Sequence, residues 1–436
     1  MSNAQPPARQ RARLGLYMFT PMLGGAEMYL KDLLVNIDRD RYDVTLFYDS
    51  WPEFDEFLEF DRCPPLRRVP VQVVEPCGHY GARRMAGVSG GPGDGVEVPL
   101  NRLRQWREML PRPLVYLPSR AFGIALRYLL VPLNFVRLRR AFRAHAVDVL
   151  HITNGGYPGA LSAQMAALAA RRAGRTGILM TVCGTPSPRT FPRLLERVLD
   201  AAVRRAVSFF VVPTRLVGDA LSAHRGVPAR AIRHVPFGVA DWRAALGDAP
   251  GPPRRRAGLR VGMVASFQSY KGHRYLIEAL ATMVASGIDV TAVLVGGGPL
   301  RAEVEALVRD RGLQSRVECA GYIEQMDVFR TMASVDVLVL PSDTEGLPYV
   351  VLQAMSLGRP MVASAVGGIP DAIDQGESGL LVPPGDVAAL AAALRRFAED
   401  PALADRLGRN ARVKYDAAFT LTGMVARHQA LYDEVR

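Results

Sequence analysis

The sequence predicts an α/β protein made of two successive doubly wound domains with parallel sheets, and three observations carry that reading. At 436 residues the chain exceeds what one hydrophobic core organises, so two domains of roughly 200 residues are expected. Short β-branched runs alternate with segments of helical length, the pattern of right-handed βαβ units. Glycine turns recur where those runs end, and the rhythm stops at APGPPRRR (249–256) before starting afresh. The segment 241–259 that contains it reads as the interdomain linker, which places one domain at 1–245, a second at 255–417, and a terminal helix at 418–436 that returns toward the first.

Composition narrows the class. With 49% hydrophobic and 22% charged residues the chain is an ordinary globular protein. Residues 1–13 are polar and the apolar run 14–22 is short, so no secretory signal is expected. Cys63, Cys77, Cys183 and Cys319 form no CxxC pair and no zinc spacing, which fits a reduced, cytoplasmic setting. The net charge of +12 is concentrated: residues 101–250 hold 23 basic and 7 acidic side chains, so the basic surface belongs to the first domain. Only Lys31, Lys271 and Lys414 among the 54 basic residues are lysines, which makes a lysine within a motif more telling.

Taken in order, residues 14–19 read as a first buried strand, turned by Leu23-Gly24-Gly25 into a helix that runs to about Asn36. Glycines there let a ligand approach the backbone, and the helix start favours a phosphate, although a plain tight turn uses the same residues. The turn lacks the GxGxxG spacing of a dinucleotide fingerprint. Strands follow at 42–48 and 68–74. A glycine-rich loop then spans 76–99 and opens an insertion, 76–145, whose later part mixes arginine with tryptophan, phenylalanine and tyrosine. Arg127, Pro132 and Asn134 interrupt its most apolar run, so a transmembrane span is not supported. Two readings of 101–145 stay open: a basic helix on an anionic membrane surface, with Arg137, Arg139 and Arg140 among its cations, or a crossover helix packed on the sheet. No nucleic-acid motif accompanies the charge.

Regular alternation resumes with strands at 147–152, 177–182, 207–212 and 232–237, separated by helices at about 159–173, 191–205 and 214–224. The second domain repeats it. Strands at 259–267, 290–295, 316–322 and 335–341 are expected, with 360–368 and 379–386 completing the set, Pro299 and Pro348 in the first turns of their helices and Gly358 as a terminator. Helices at 387–399, 401–417 and 421–435 close the chain. Ligands of doubly wound sheets bind at the carboxyl ends of strands, where Lys271, the Gly296-Gly297-Gly298 turn and Glu345 all fall.

The stretch SDTEGLPYVVLQAMSLGRPMVASAVGG (342–368), with GGAE at 24–27, SYKGH at 269–273 and GLLVPPGD at 379–386, resembles the family 4 (group 1) retaining glycosyltransferases. The resemblance covers about 13–430 and is strongest over 260–390. It implies a GT-B fold, two Rossmann-like doubly wound parallel-sheet domains facing a cleft, and transfer of a sugar from a UDP- or GDP-sugar co-substrate to a glycan or lipid-linked acceptor. No further cofactor and no metal are implied. Lys271 would hold the leaving diphosphate and Glu345 the hydroxyls of the transferred sugar. Gly24, Gly25, Ser266, Gly297, Gly298, Tyr322, Ile323, Gly346, Leu347, Pro348 and Gln353 would line the donor site, and His151, Asn154 and Cys183 the sugar or acceptor vicinity. Three positions depart from the family pattern: Cys183 stands for a histidine, Ser266 for a phosphate-binding arginine, and Gln353 for the second of two glutamates eight positions apart. Arg274 and Arg359 are the candidates to replace the missing arginine. A non-catalytic nucleotide-sugar-binding partner protein is the alternative, with a nucleotide-sugar epimerase behind it. For the transferase reading the resemblance implies a role in cell-surface polysaccharide or glycolipid synthesis, in the cytoplasm and at the inner face of the membrane.

Overall fold

The computed structural model describes residues 11–19, 25–50, 52–59, 63–73, 128–175, 177–189, 193–247 and 258–436. Gly24, the glycine-rich loop at 76–99, residues 101–127 of the basic stretch and most of the linker lie outside the described residues.

The first part of the chain runs β1 (Ala12–Met18), α1 (Gly25–Asn36), β2 (Tyr42–Tyr48), α2 (Pro52–Leu58), β3 (Arg67–Pro70), α3 (Val131–Ala144), β4 (Val149–Asn154), α4 (Leu161–Arg172), β5 (Gly177–Val182), α5 (Arg193–Ala206), β6 (Phe209–Val212), α6 (Arg215–Arg225), β7 (Ile232–His234) and α7 (Trp242–Leu246). Its strands form a seven-stranded sheet in the order β3-β2-β1-β4-β5-β6-β7, with β3, β2, β1, β4 and β5 paired in parallel. The second part runs β8 (Leu259–Val264), α8 (His273–Ala285), β9 (Val290–Val295), α9 (Arg301–Asp310), β10 (Val317–Gly321), α10 (Gln325–Ser334), β11 (Val337–Leu340), α11 (Tyr349–Ser356), β12 (Met361–Ser364), α12 (Ile369–Ala372), β13 (Leu380–Val382), α13 (Val387–Glu399), α14 (Pro401–Ala418) and α15 (Leu421–Val435). Its six strands are all parallel, in the order β10-β9-β8-β11-β12-β13. The predicted pair of parallel-sheet α/β assemblies is therefore present.

By its contacts the chain divides into two units. One holds the described residues up to Val182 with 187–210 and 432–436; the other holds 183–186 and 211–431. Each has a reason for its shape. In the first, β1, β4 and β5 are buried along almost their whole length, as expected for strands covered on both faces. The chain end is anchored there: Tyr432 is fully buried and bonds His151 Nδ1 at 2.8 Å, while Tyr42 Oη donates to Asp433 at 2.8 Å. In the second, Val261, Met263, Ala292, Leu294, Val337, Val339 and Val362 project from one sheet face onto Leu276, Leu280, Leu390 and Leu394 of α8 and α13.

Local chemistry sets the helix ends. Thr214, Asp241, Asp386 and Asp400 cap α6, α7, α13 and α14 by accepting bonds from first-turn amides. Gly226 and Gly358 follow α6 and α11 in the left-handed region, at φ 68° and 66°, so Gly358 terminates its helix as expected. The two prolines sit earlier than expected: Pro348 is the N-cap of α11, one position before its first residue, and Pro299 precedes Leu300, the N-cap of α9, two positions before its first residue. A proline lacks an amide hydrogen, and neither position requires one. No helix among the described residues is long and apolar enough to cross a membrane.

His428 gives this fold a pH dependence. It is buried in α15, its Nδ1 bonded to the Met424 carbonyl at 2.9 Å, and burial pushes its pKa down to about 4 from the ordinary 6.5. Between those values the unfolded chain takes up a proton that the folded imidazole refuses, so stability is full above pH 6.5 and falls as pH drops toward 4. Thermal denaturation followed across that window is expected to show a falling midpoint, with a shallower acid limb in His428→Leu.

Candidate active site

In the second sheet the strand order reverses direction between β8 and β11, the topological switch point where the exits of two neighbouring strands part. The loop leaving β8 carries Lys271 and the loop leaving β11 carries Glu345. Lys271 Nζ donates to Glu345 Oε1 at 2.7 Å across that point, and Ser342 Oγ donates to the same oxygen at 2.8 Å. The Lys271 and Glu345 side chains are only 16% and 8% exposed. The ammonium also lies 5.1 Å from the centroid of the Tyr270 ring, a second source of stabilisation for its charge.

Glycines let the loops approach this closely. Gly272, at φ 76°, begins α8, and a Cβ there would lie 2.0 Å from the Pro341 carbonyl oxygen, so no other residue fits without moving one loop off the other. The Asp343 amide bonds the Tyr270 carbonyl at 2.8 Å and ties the same two loops. A third loop, leaving β12, closes on Glu345 from the other side: a Cβ on Gly367 would lie 1.9 Å from the Glu345 carbonyl oxygen, and the Gly368 amide donates to Gly346 at 2.6 Å. Neither α8 nor α11 has a side-chain cap, so both helix starts beside the ion pair present backbone amides suited to an anion.

The glycine turn after β9 is built against the exit of β8. The Phe267 amide bonds the Gly297 carbonyl at 2.9 Å, and Gly296 and Gly298 take φ values of 130° and 152°. The Tyr322 ring lies on Gly297, where a Cβ would be 2.3 Å from ring carbon Cε2, yet Tyr322 is 81% exposed. An open aromatic face thus flanks the turn. Ser266 is exposed and Ile323 half-buried beside these loops; Gly346, Pro348 and Gln353 are half-buried, and Leu347 is buried. Gln353 lies within α11, and its side-chain amide makes no hydrogen bond among the described residues.

His273, the first residue of α8, stacks on Phe267 with ring centroids 4.4 Å apart. Burial first, and the Lys271 charge second, push its pKa down to about 4, so it is neutral at pH 7 and adds no charge to the cluster. Of the two substitutes for the missing arginine, Arg274 is exposed and hydrogen-bonded to the Tyr275 hydroxyl, which donates to Asp343 at 3.0 Å. Arg359 is excluded by position. It precedes β12, at the amino end of the strands, and burial lowers its pKa while its Nε has no partner. Among the described residues no group of three His, Cys, Asp or Glu is placed to hold a metal ion.

The candidates in the first part of the chain fare differently. Gly25 opens α1, with nothing within 4 Å of where a Cβ would stand. His151 is fully buried and both ring nitrogens are engaged, Nδ1 by Tyr432 and Nε2 by Thr181 at 2.6 Å. It is therefore a strut for the chain end, not a group open to a sugar. Asn154, also buried, closes its own loop, donating to the Pro158 carbonyl at 3.2 Å and accepting from the Ala160 amide at 3.3 Å. Cys183 is buried, not disulfide-bonded, and its carbonyl oxygen lies 3.4 Å from where a Cβ of Gly346 would be, so its backbone abuts the Glu345 loop. Sequence reasoning missed Ser342 and Gly367. Serine three residues before the acid, directly after a buried strand, was the available signal for the first.

Residues 258–400 match the group 1 glycosyl transferases and residues 24–238 the glycosyl transferase 4-like domain. The chain belongs to the group 1 glycosyltransferase family. It is 30% identical over 259 residues to an alpha-D-kanosaminyltransferase of Streptomyces kanamyceticus, covering 56% of this chain and 66% of that protein. It is 32% identical over 202 residues to the amylovoran biosynthesis glycosyltransferase AmsK of Erwinia amylovora, covering 44% and 48%. The chain thus spans between about half and two thirds of the length of these curated relatives. The crystal structure of Anabaena Alr3699/HepE in complex with UDP superposes with a TM-score of 0.70 at 20% identity, covering 97% of this chain and 100% of that one. The fold of this glycosyltransferase family member is GT-B.

Removing one partner of a mostly buried ion pair leaves the other charge uncompensated. Lys271→Met is therefore expected to lower stability by about 3 kcal/mol, and Lys271→Met with Glu345→Gln to recover much of that loss. Thermal denaturation of parent, single and double variants measures the difference.

Proposed function

We propose that this chain transfers a sugar from a UDP- or GDP-sugar to a glycan or lipid-linked acceptor, with retention at the anomeric carbon and without a metal ion. The observation that carries the reading is the Lys271–Glu345 pair, one ammonium and one carboxylate held at a switch point between two uncapped helix starts. Such a site offers a cation and backbone amides to a diphosphate, and a carboxylate to sugar hydroxyls.

In this mechanism Lys271 and the first amides of α8 and α11 stabilise charge that builds on the diphosphate as the glycosidic bond breaks. Glu345 accepts hydrogen bonds from the transferred sugar and orients it. The departing phosphate takes the acceptor's proton on the face it leaves, so no protein nucleophile is required. Tyr322 offers a face for the nucleotide base beside the Gly297 turn. The relatives named above support the choice of chemistry: one is a sugar transferase, one serves polysaccharide synthesis, and the structural neighbour holds UDP. Lys271→Ala and Glu345→Gln are each expected to lower turnover by about 100-fold, with parent activity unchanged by EDTA. A screen of nucleotide sugars against lipid and polysaccharide extracts measures turnover, and proton NMR of the product reads the anomeric configuration; an inverted product overturns retention.

A non-catalytic partner role has one observation in its favour: Ser266 brings no cation to the loop that holds Lys271. Calorimetry separates the readings, since nucleotide-sugar binding without transfer or hydrolysis on any extract favours the partner.

We also propose a cytoplasmic protein that touches the inner face of the membrane through α3. Leu129, Leu133 and Val136 are exposed and continue at helical spacing into the exposed Arg140 and Arg143, so one stripe passes from apolar to basic. Arg137 instead donates to the Gln72 carbonyl at 2.9 Å and Arg139 is half-buried, which moves the proposed lipid contacts to Arg140 and Arg143. Arg140→Gln with Arg143→Gln is expected to reduce flotation with phosphatidylglycerol vesicles at low salt. Equal flotation of variant and parent contradicts the proposal.

A further inference from the structure

We infer that Ser342 is a positioning residue for the donor sugar: it pins one oxygen of Glu345 so that the other is presented to the sugar hydroxyls. The inference rests on the donor-site reading given above.

A carboxylate has two oxygens, and here they are treated unequally. Both Lys271 Nζ and Ser342 Oγ donate to Oε1, at 2.7 and 2.8 Å, while Oε2 accepts no hydrogen bond among the described residues. The serine is the less replaceable of the two donors. Lysine reaches Glu345 from a flexible four-carbon stem and sets distance more than orientation. Ser342 instead has one short side chain, is fully buried, and stands two residues beyond the end of β11. A hydroxyl carries a single proton and a carboxylate only accepts, so the direction of this bond is fixed.

The backbone on either side of Ser342 is held independently of its side chain. The Pro341 carbonyl is packed against Gly272, and the Asp343 amide bonds Tyr270. Two donors on one oxygen, one from each loop of the switch point, fix the plane of the carboxylate. Bonds from a sugar's hydroxyls then find Oε2 already oriented. The serine's hydroxyl touches only the carboxylate, whereas in the donor-site reading the diphosphate is received by Lys271, the helix starts and the glycine turn.

The test uses that separation. Calorimetry of parent, Ser342→Ala and Ser342→Thr is run with UDP and UDP-glucose, and with GDP and GDP-mannose, alongside thermal denaturation. For the pair that the parent binds, Ser342→Ala is expected to keep the affinity for the nucleoside diphosphate within about twofold and to weaken the nucleotide sugar by about tenfold. Ser342→Thr, which keeps the hydroxyl, is expected to restore most of the loss. Equal weakening of both ligands, or of neither, overturns the positioning role. If the parent binds no nucleotide at all, the donor-site reading itself fails, an outcome distinct from either.

Discussion

The contact on which the second unit depends is the close approach of the loops after β8 and β11. It is made possible by the hydrogen at the Cα of Gly272, against which the Pro341 carbonyl packs. Without it Lys271 and Glu345 would each be an isolated charge at the mouth of a sheet. With it they share a hydrogen bond while almost out of water. Such a pair is a poor source of stability, because desolvating two ions offsets much of their attraction. Its value is geometric. A cation and an acid are kept at a defined spacing beside two helix starts, an arrangement that a solvated pair of long side chains does not hold. The third loop packs Gly367 against the Glu345 carbonyl and bonds Gly368 to the Gly346 carbonyl, which fixes the backbone that carries Glu345.

The first unit spends its buried polar chemistry differently. Tyr29, His151, Thr181 and Tyr432 form a network in which Tyr29 Oη lies 3.1 Å from Thr181 Oγ1 and His151 bridges Thr181 to Tyr432. These groups satisfy one another, and the result is attachment of residues 432–436 to the central strands. A backbone fit accompanies it, since a Cβ on Gly177 would lie 2.8 Å from the Val435 carbonyl oxygen. Here the polar residues on strands serve assembly, whereas those in the second unit stand in loops.

Much of this is legible in the sequence. The strands Tyr42–Tyr48, Gly177–Val182 and Val290–Val295 and the helices Val387–Glu399 and Leu421–Val435 fall where periodicity put them, because β-branched runs and amphipathic spacing are local properties. Glycine turns marked the loops for the same reason. The partners were not legible. His151 sits in a buried strand, and nothing in its neighbours along the chain tells whether its imidazole meets a ligand or a tyrosine 281 residues away. Arg359, which follows the helix-ending Gly358, is a candidate in sequence to replace the missing arginine. That helix delivers it to the amino end of β12, and only topology shows that this is the wrong end of the sheet. Ser342 was in plain view, but a serine after a strand has too many ordinary uses for its sequence position to single it out.

The departures from the family pattern can be weighed in the same physical terms. The resemblance implies an arginine where Ser266 stands and a glutamate where Gln353 stands, so the chain lacks one positive and one negative group relative to that pattern. The formal sum is unchanged, and Lys271 and Glu345 remain as the charged pair. What is lost is the forked donor set of an arginine and the charge-assisted acceptor of a carboxylate. Backbone amides at the starts of α8 and α11 replace donors better than they replace acceptors. In the proposed reading a diphosphate would be served more fully by the remaining groups than a ribose, and recognition of the sugar would fall to the single carboxylate that Lys271 and Ser342 hold in place.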